Sequence, residues 1–233
     1  MNSINHILHH TGKRFAISDI HGCAHTFIAL LEKIAFTHND TLYILGDMIS
    51  RGKRSKKTIK TILSLQNDGY SVIPIRGNHE QFIISEFEKN DINSFYTLCK
   101  KMKMLWLFED KNTIHIKHIY KQFFFNLPYY ISLENILLSH AGFDFSSTHI
   151  FENTYAMLNQ RSCIYTELVP DSIKVIHGHT PISIEKIKRS ILSGSPIINI
   201  DNGCVYKSNS KQRGNLVCID IDNFDLYIQK NIE

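Results

Sequence analysis

Asp19, His21, Asp47, Asn78, His79, His140 and His179 are of the types that bind metal ions or move protons, and each stands where a short apolar run stops. Together they offer carboxylate, amide and imidazole donors without a thiolate. Such a mixture suits a first-row divalent ion (Mn, Fe or Zn) rather than Ca2+ or a structural zinc finger. Six donors besides His79 are more than one mononuclear site needs. A carboxylate can bridge two ions, and a two-metal site clamps the attacking and leaving oxygens of an in-line displacement. Gly22, Gly46, Gly52, Gly77, Gly142 and Gly178 lie beside these residues, where sharp turns and close backbone approach are needed.

The apolar runs that must position these groups are Phe15–Ile17, Leu42–Leu45, Val72–Ile75, Ile136–Leu138, Val175–Ile176 and Ile197–Ile200, the last stopping at Asp201. Runs this short, rich in Ile, Leu and Val and bounded by Gly, read as buried strands. Phe27, Leu30, Leu31 and Ile34 are spaced for one helix face, as are Ile59, Ile62, Leu63 and Leu65. Strands alternating with helices predict an α/β chain with covered sheet faces and ligands beyond the carboxyl ends of the strands. Residues 82–130, with Trp106 and Phe123-Phe124-Phe125, break the strand rhythm and read as a mostly helical insertion within a single domain, 1–233. Asn215–Asp220 and Asp225–Ile228 read as a closing strand pair turning near Asp222-Asn223.

Hydrophobic residues make up 43% of the 233, charged residues 21% and aromatics 11%, an ordinary globular composition. No apolar stretch approaches the length of a membrane span, and Met1–Gly12 is polar and His-rich with no apolar leader, so the expectation is a cytoplasmic protein with no membrane partner. The cysteines at 23, 99, 163, 204 and 218 are widely spaced with no C-x-x-C, which argues against a disulfide framework or cysteine zinc site. The net charge of +4 fits an anionic substrate and is too small to indicate a nucleic acid polymer.

Asp19-x-His21-Gly22, Gly46-Asp47-x-x-x-Arg51-Gly52, Gly77-Asn78-His79-Glu80, His140-Ala141-Gly142 and Gly178-His179-Thr180 occur in this order. Between Arg14 and about Val217 the chain thereby resembles the calcineurin-like metallophosphoesterases. It is most similar to the small bacterial phosphoprotein phosphatases of the Ser/Thr type and their relatives, the symmetrical diadenosine tetraphosphate hydrolases. The resemblance implies a β-sandwich flanked by helices and two divalent ions, Mn2+ first, with Fe or Zn as alternatives. It implies Asp19 and His21 on the first ion, Asp47 bridging, and Asn78, His140 and His179 completing the second. Arg51, Asn78 and, with a poor local match, Arg161 would bind the phosphoryl group, and His79 would be the general acid. The implied reaction is in-line attack on a phosphomonoester by hydroxide held between the ions, with phosphoserine or phosphothreonine in proteins as the first substrate class. A phosphate-rich small molecule such as a dinucleoside polyphosphate is the alternative, as is a weakly catalytic relative that only binds phosphate or a partner. Elementary chemistry agrees: planar guanidinium groups match the equatorial oxygens of the transferring phosphoryl group, and a histidine titrating near the working pH can protonate the departing alkoxide.

Two positions depart from the pattern. Ser50 stands where the phosphatases have an Asp that hydrogen-bonds the catalytic histidine, and the diadenosine tetraphosphate hydrolases also lack that acid. A serine hydroxyl could orient the ring but supplies no charge. Against those hydrolases, whose histidine motif ends in Asp, Glu80 follows His79 here. Lys53-Arg54 replaces the usual Pro-Asp, so Arg51, Lys53, Arg54, Lys56, Lys57 and Lys60 form a run that would steer phosphate-rich substrates or simply be a solvated helix face.

Several residues keep plainer alternatives. Asp47 alone could be a helix N-cap, His79 a seventh ligand and Arg161 a surface arginine. Asp201 reads either as a carboxylate orienting a ligand histidine or as a turn residue. His6, His9 and His10 read as a solvated tail, His177 and Cys23 as packed side chains, and Trp106 and Phe123–Phe125 as core.

Overall fold

The computed structural model describes residues 3–5, 11–109, 115–161, 166–206 and 212–233. Two five-stranded sheets lie face to face. The first has the order β10-β9-β2-β3-β4, built from β2 (Arg14–Ile17), β3 (Thr41–Ile44) and β4 (Ser71–Pro74) in parallel, with β9 (Asn215–Asp220) and β10 (Leu226–Lys230) antiparallel at one edge. The second has the order β1-β5-β6-β7-β8, from β1 (Ser3–Asn5), β5 (Tyr130–Ser132), β6 (Ile136–Ser139), β7 (Lys174–His177) and β8 (Ile197–Asn199). The polar composition of Ser3–Asn5 gave no strand signal; these residues are held as an edge strand by parallel pairing with β5.

Strand periodicity explains the layering. Ala16, Tyr43, Leu45, Val217 and Ile219 point inward and meet Ile131, Leu138, Ile176 and Ile198 of the other sheet, which makes the sandwich core. Their neighbours Phe15, Ile17, Leu42 and Ile44 point outward and are covered by Phe27 and Leu30 of α1 (Ala24–Lys33) and Ile59 and Ile62 of α2 (Ser55–Asn67). Leu137, Val175 and Ile197 on the far face of the second sheet pack on Phe143, Met157 and Val169. Both faces of the central strands are therefore apolar, and only their ends are free to carry polar chemistry.

The segment between the sheets is helical as expected: α3 (Asn78–Glu88), α4 (Ile92–Lys101), a 3-10 turn at Leu105–Leu107, and α5 (His118–Asn126), with Phe95, Phe108, Tyr120, Phe123 and Phe124 joining the core under the first sheet. Its beginning differs from the expected Phe82, because α3 already starts at Asn78 and carries Asn78 and His79 in its first turn. Among the described residues the remaining helices are α6 (Thr154–Asn159), a 3-10 turn at Thr166–Leu168, and α7 (Ile184–Leu192). Among the described residues no helix is long and apolar enough to cross a membrane. Cys23, Cys99, Cys204 and Cys218 are free and buried; Cys163, His6, His9 and His10 lie outside the described residues.

Candidate metal centre

The loops leaving β2, β3, β4, β6 and β7 converge on one spot. Backbone bonds join them: His21 N–H donates to Asp47 O (2.8 Å), Gly22 N–H to Met48 O (2.9 Å) and Gly178 N–H to His140 O (2.8 Å). His21, Asp47 and His179 have φ of 46°, 46° and 72°, in the left-handed region that side chains normally avoid. Three of the proposed ligands thus hold an unfavourable backbone, a conformation that the surrounding bonds must enforce.

Asp47 is the hub. Its Oδ2 lies 3.5 Å from His21 Nε2, 3.6 Å from His140 Nε2 and 3.8 Å from His79 Nε2. Its Oδ1 accepts the His79 backbone N–H at 3.0 Å, so Asp47 caps α3 through space while Oδ2 stays free. Asp19 is built alike: Oδ1 accepts the His179 N–H at 3.0 Å, and Oδ2, 3.9 Å from His21 Nε2, is buried without a hydrogen-bond partner. Two donor triads result, His21–Asp47–His79 and Asp47–His140–His179, sharing Asp47. Asn78 Oδ1 lies 3.1 Å from His140 Nε2 and joins the second.

Two of the imidazoles, His21 and His140, are fixed in the tautomer that a metal requires. His21 Nδ1 sits 3.0 Å from Ile49 O and His140 Nδ1 2.8 Å from Leu45 O. A carbonyl only accepts, so each Nδ1 carries the proton and each Nε2 presents a lone pair. His140 Nε2 and His179 Nδ1 face each other at 3.0 Å. Burial keeps these rings neutral, lowering His21 to about 3, His79 and His179 to about 4, and His140 well below the usual range. Asp19 and Asp47 are pushed well above the carboxylate range, first by burial, then by Asp201 and Asp47 in the case of Asp19 and by Glu80 and Asp201 in the case of Asp47.

These features fit divalent cations. Ligand atoms bonded at about 2.0–2.2 Å around one ion lie roughly 3–4 Å apart, which the separations above match. An orphaned carboxylate oxygen, crowded acids and neutral rings with outward lone pairs are each costly alone and each satisfied by a cation. Cation uptake should therefore release protons from the acids rather than the rings, and fewer of them as the pH rises. Titration calorimetry in buffers of different ionisation enthalpy measures it; a heat independent of buffer contradicts it.

Glu80 was noticed in the sequence only as a motif letter. In the structure it is fully buried, and its Oε2 accepts from Asp47 N (2.9 Å) and Gly77 N (3.0 Å), its Oε1 from Met48 N (2.9 Å) and Ile49 N (3.3 Å). It pins the loop that carries Asp47 and the carbonyl that anchors His21. Its pKa rises to about 7 through burial, opposed by the bonds from Gly77, Ile49 and Asp47 among others.

Arg51 is exposed at the mouth, and its guanidinium donates to the Tyr206 hydroxyl at 2.8 Å, a partner that the sequence did not signal. Arg161 is exposed and close enough to His179 to lower its pKa. Asp201 takes the turn role, accepting from Gly203 N–H at 2.6 Å. His177 and Cys23 are packed as expected, His177 against Gly178 O at 3.1 Å. The Ser50 hydroxyl has no hydrogen-bond partner, so it does not orient the His79 ring.

Residues 13–227 match the family described as calcineurin-like phosphoesterase. The chain is 24% identical to an asymmetrical bis(5'-nucleosyl)-tetraphosphatase from Anoxybacillus flavithermus, over 82% of this chain and 85% of that one. It is 39% identical to a symmetrical bis(5'-nucleosyl)-tetraphosphatase from Neisseria gonorrhoeae, over 30% of this chain and a quarter (25%) of that one. In fold it is similar to a protein proposed to be a diadenosine tetraphosphatase (TM-score 0.64, 18% identity, 97% of this chain and 95% of that one). A protein serine/threonine phosphatase from Saccharomyces cerevisiae also shares the fold (TM-score 0.60, 16% identity, 100% and 84%).

Proposed function

The chain belongs to the calcineurin-like phosphoesterase family and is a metal-dependent phosphoric ester hydrolase, and from that premise we propose that it cleaves a phosphoanhydride bond of a dinucleoside polyphosphate. We assign Asp19, His21 and Asp47 to one cation and Asp47, Asn78, His140 and His179 to the other, with Mn2+ as the first candidate. When bound, such ions supply a water acidic enough to ionise near neutral pH and neutralise phosphoryl charge.

The chain's own groups do the rest. The Arg51 guanidinium, steadied by Tyr206, offers a planar fork to the phosphoryl oxygens. The Asn78 amide lies beside His140, and Arg161 is close enough to His179 to add a second guanidinium. We assign to His79, beside Asp47, whatever proton the leaving oxygen receives.

The observation that carries the anhydride reading is the surroundings of His79. Among the described residues its one carboxylate neighbour is Asp47, at Nε2, and Ser50 offers the ring nothing. Burial and Arg51 lower its pKa to about 4. A ring so seldom protonated helps little with a serine or threonine alkoxide, which is a strong base. A departing nucleotide phosphate, with a second pKa of about 6, leaves as a stable anion without that help. The similarity to the Anoxybacillus tetraphosphatase over most of the chain supports the same choice. Phosphoserine or phosphothreonine in proteins is the second reading, favoured by Glu80 after His79.

With Mn2+ present, kcat/KM for diadenosine tetraphosphate should exceed that for a phosphoserine peptide by about 100-fold, the low end of what a general acid contributes. Equal or greater activity on the peptide overturns the reading. Ser50 has φ 70°, which Asp tolerates. Ser50→Asp should accordingly raise kcat on phosphomonoesters by about tenfold and move the limb of the pH–rate profile that reports His79 to higher pH. An unchanged profile and kcat would show that His79 does not need a carboxylate.

A further inference from the structure

Neither the metal centre nor the proposed chemistry uses the basic run after Arg51 or the helical insertion beyond the first turn of α3, yet the two meet. Ser50 to Lys56 on one side and the end of α4 with the following turn on the other enclose a cavity of about 230 Å3. Arg51, Lys53, Lys56, Lys101 and Lys103 line it together with Trp106. None of these five cations has an ion-pair partner among the described residues, and no carboxylate lines the cavity. Five like charges around one hollow repel one another, and an anion relieves that repulsion.

Two further observations point to a ligand. The Ser50 hydroxyl and the Trp106 Nε1–H both belong to this wall, and both are buried without a hydrogen-bond partner. An unpaired buried donor is unfavourable, so the wall holds hydrogen-bonding capacity that the protein itself does not use. The wall is also tied to the metal centre: Gly52 N–H donates to His21 O at 2.9 Å, and Arg51 belongs to cavity and site mouth alike. Ser55 and Lys56, in the first turn of α2, which carries no acidic residue, add the positive end of a helix. The volume falls below the roughly 300–1,000 Å3 of pockets that enclose a drug-sized molecule, so a short anion suits it better than a nucleoside.

We propose that this cavity is a second anion subsite, holding the non-scissile phosphates of a polyphosphate chain whose scissile phosphate lies at the metal centre; the identity of the ligand rests on the anhydride reading above. The helical insertion would then set substrate class, since Lys101, Lys103 and Trp106 come from it.

The test is titration calorimetry of inorganic tripolyphosphate and of orthophosphate into metal-loaded protein at fixed free Mn2+, with the double variant Lys101→Ala/Lys103→Ala. Both lysines are exposed, so the fold should persist. Wild type should bind tripolyphosphate on the order of tenfold more tightly than orthophosphate, and the variant should lose on the order of tenfold more affinity for tripolyphosphate than for orthophosphate. Salt should weaken tripolyphosphate binding more steeply than orthophosphate binding. Equal losses for the two anions, or none, overturn the subsite. Turnover of diadenosine tetraphosphate separates the two claims. Lysine-dependent tripolyphosphate binding without that turnover leaves the subsite standing and sinks the anhydride reading. The same KM for diadenosine tetraphosphate in variant and wild type does the reverse.

Discussion

Replacing Asp47 by Asn is expected to lower kcat/KM by about 10³-fold or more, through loss of both cations. The Asp47 side chain serves two masters: Oδ1 holds the His79 backbone N–H, and Oδ2 faces the Nε2 atoms of His21, His79 and His140 at 3.5–3.8 Å. Asn can keep the first bond only by turning its NH2 toward the second position. Two N–H donors would then point at the place where the cations need a negative oxygen. Metal content per chain should fall well below that of wild type. The metal-free variant should nevertheless melt higher than the metal-free wild type, because a buried acid pushed well above its usual pKa has been replaced by a neutral amide. Such opposite effects on stability and activity mark a functional residue. Full metal content and activity in the variant would remove Asp47 from the centre.

Gly77→Ala should cost about 2–4 kcal/mol of stability and on the order of 10²-fold in kcat/KM, the effect of misplacing a catalytic group by about 1 Å. Gly77 has φ −96° and ψ 173°, which any residue adopts, so backbone strain is not the cause. A Cβ there would collide with the backbone N and Oδ1 of Asp47 and come within 2.7 Å of Glu80 Oε2. Those atoms carry the bonds from Asp47 N and Gly77 N to Glu80 and from His79 N to Asp47, so the hub itself must move. Gly194→Ala is the control: its φ of +67° makes Ala unfavourable, but nothing lies within 4 Å of the added atom. That variant should lose about 1–2 kcal/mol and keep its activity. If both variants behave alike, close packing around Asp47 is not what the glycine provides.

Much of the site could be read from the chain because buried strands have a strong local signature. Phe15–Ile17 or Val175–Ile176 could only be buried, so Asp19 and His179 had to emerge at strand ends. The same reasoning identified the closing pair β9 and β10. What escaped is set by contacts distant in the chain. No local pattern shows that Glu80 collects four backbone N–H groups from two loops, or that Tyr206 lies on Arg51. Nor does spacing reveal the left-handed backbone at His21, Asp47 and His179. The start of α3 is hidden in the sequence because its first turn carries site residues instead of apolar ones. Trp106 reads as core and does pack there, edge-to-face with Tyr120, but spacing does not show that it also lines a cationic cavity whose two walls are some fifty residues apart in sequence.

The central claim is that the shared carboxylate of Asp47 organises two cations. Crystals of Mn2+-loaded protein, measured at the manganese absorption edge, test it most directly. The account predicts two anomalous peaks flanking Asp47 Oδ2, one within coordination distance of Asp19 and His21 and the other of Asn78, His140 and His179. A single peak, or peaks away from Asp47, would contradict it.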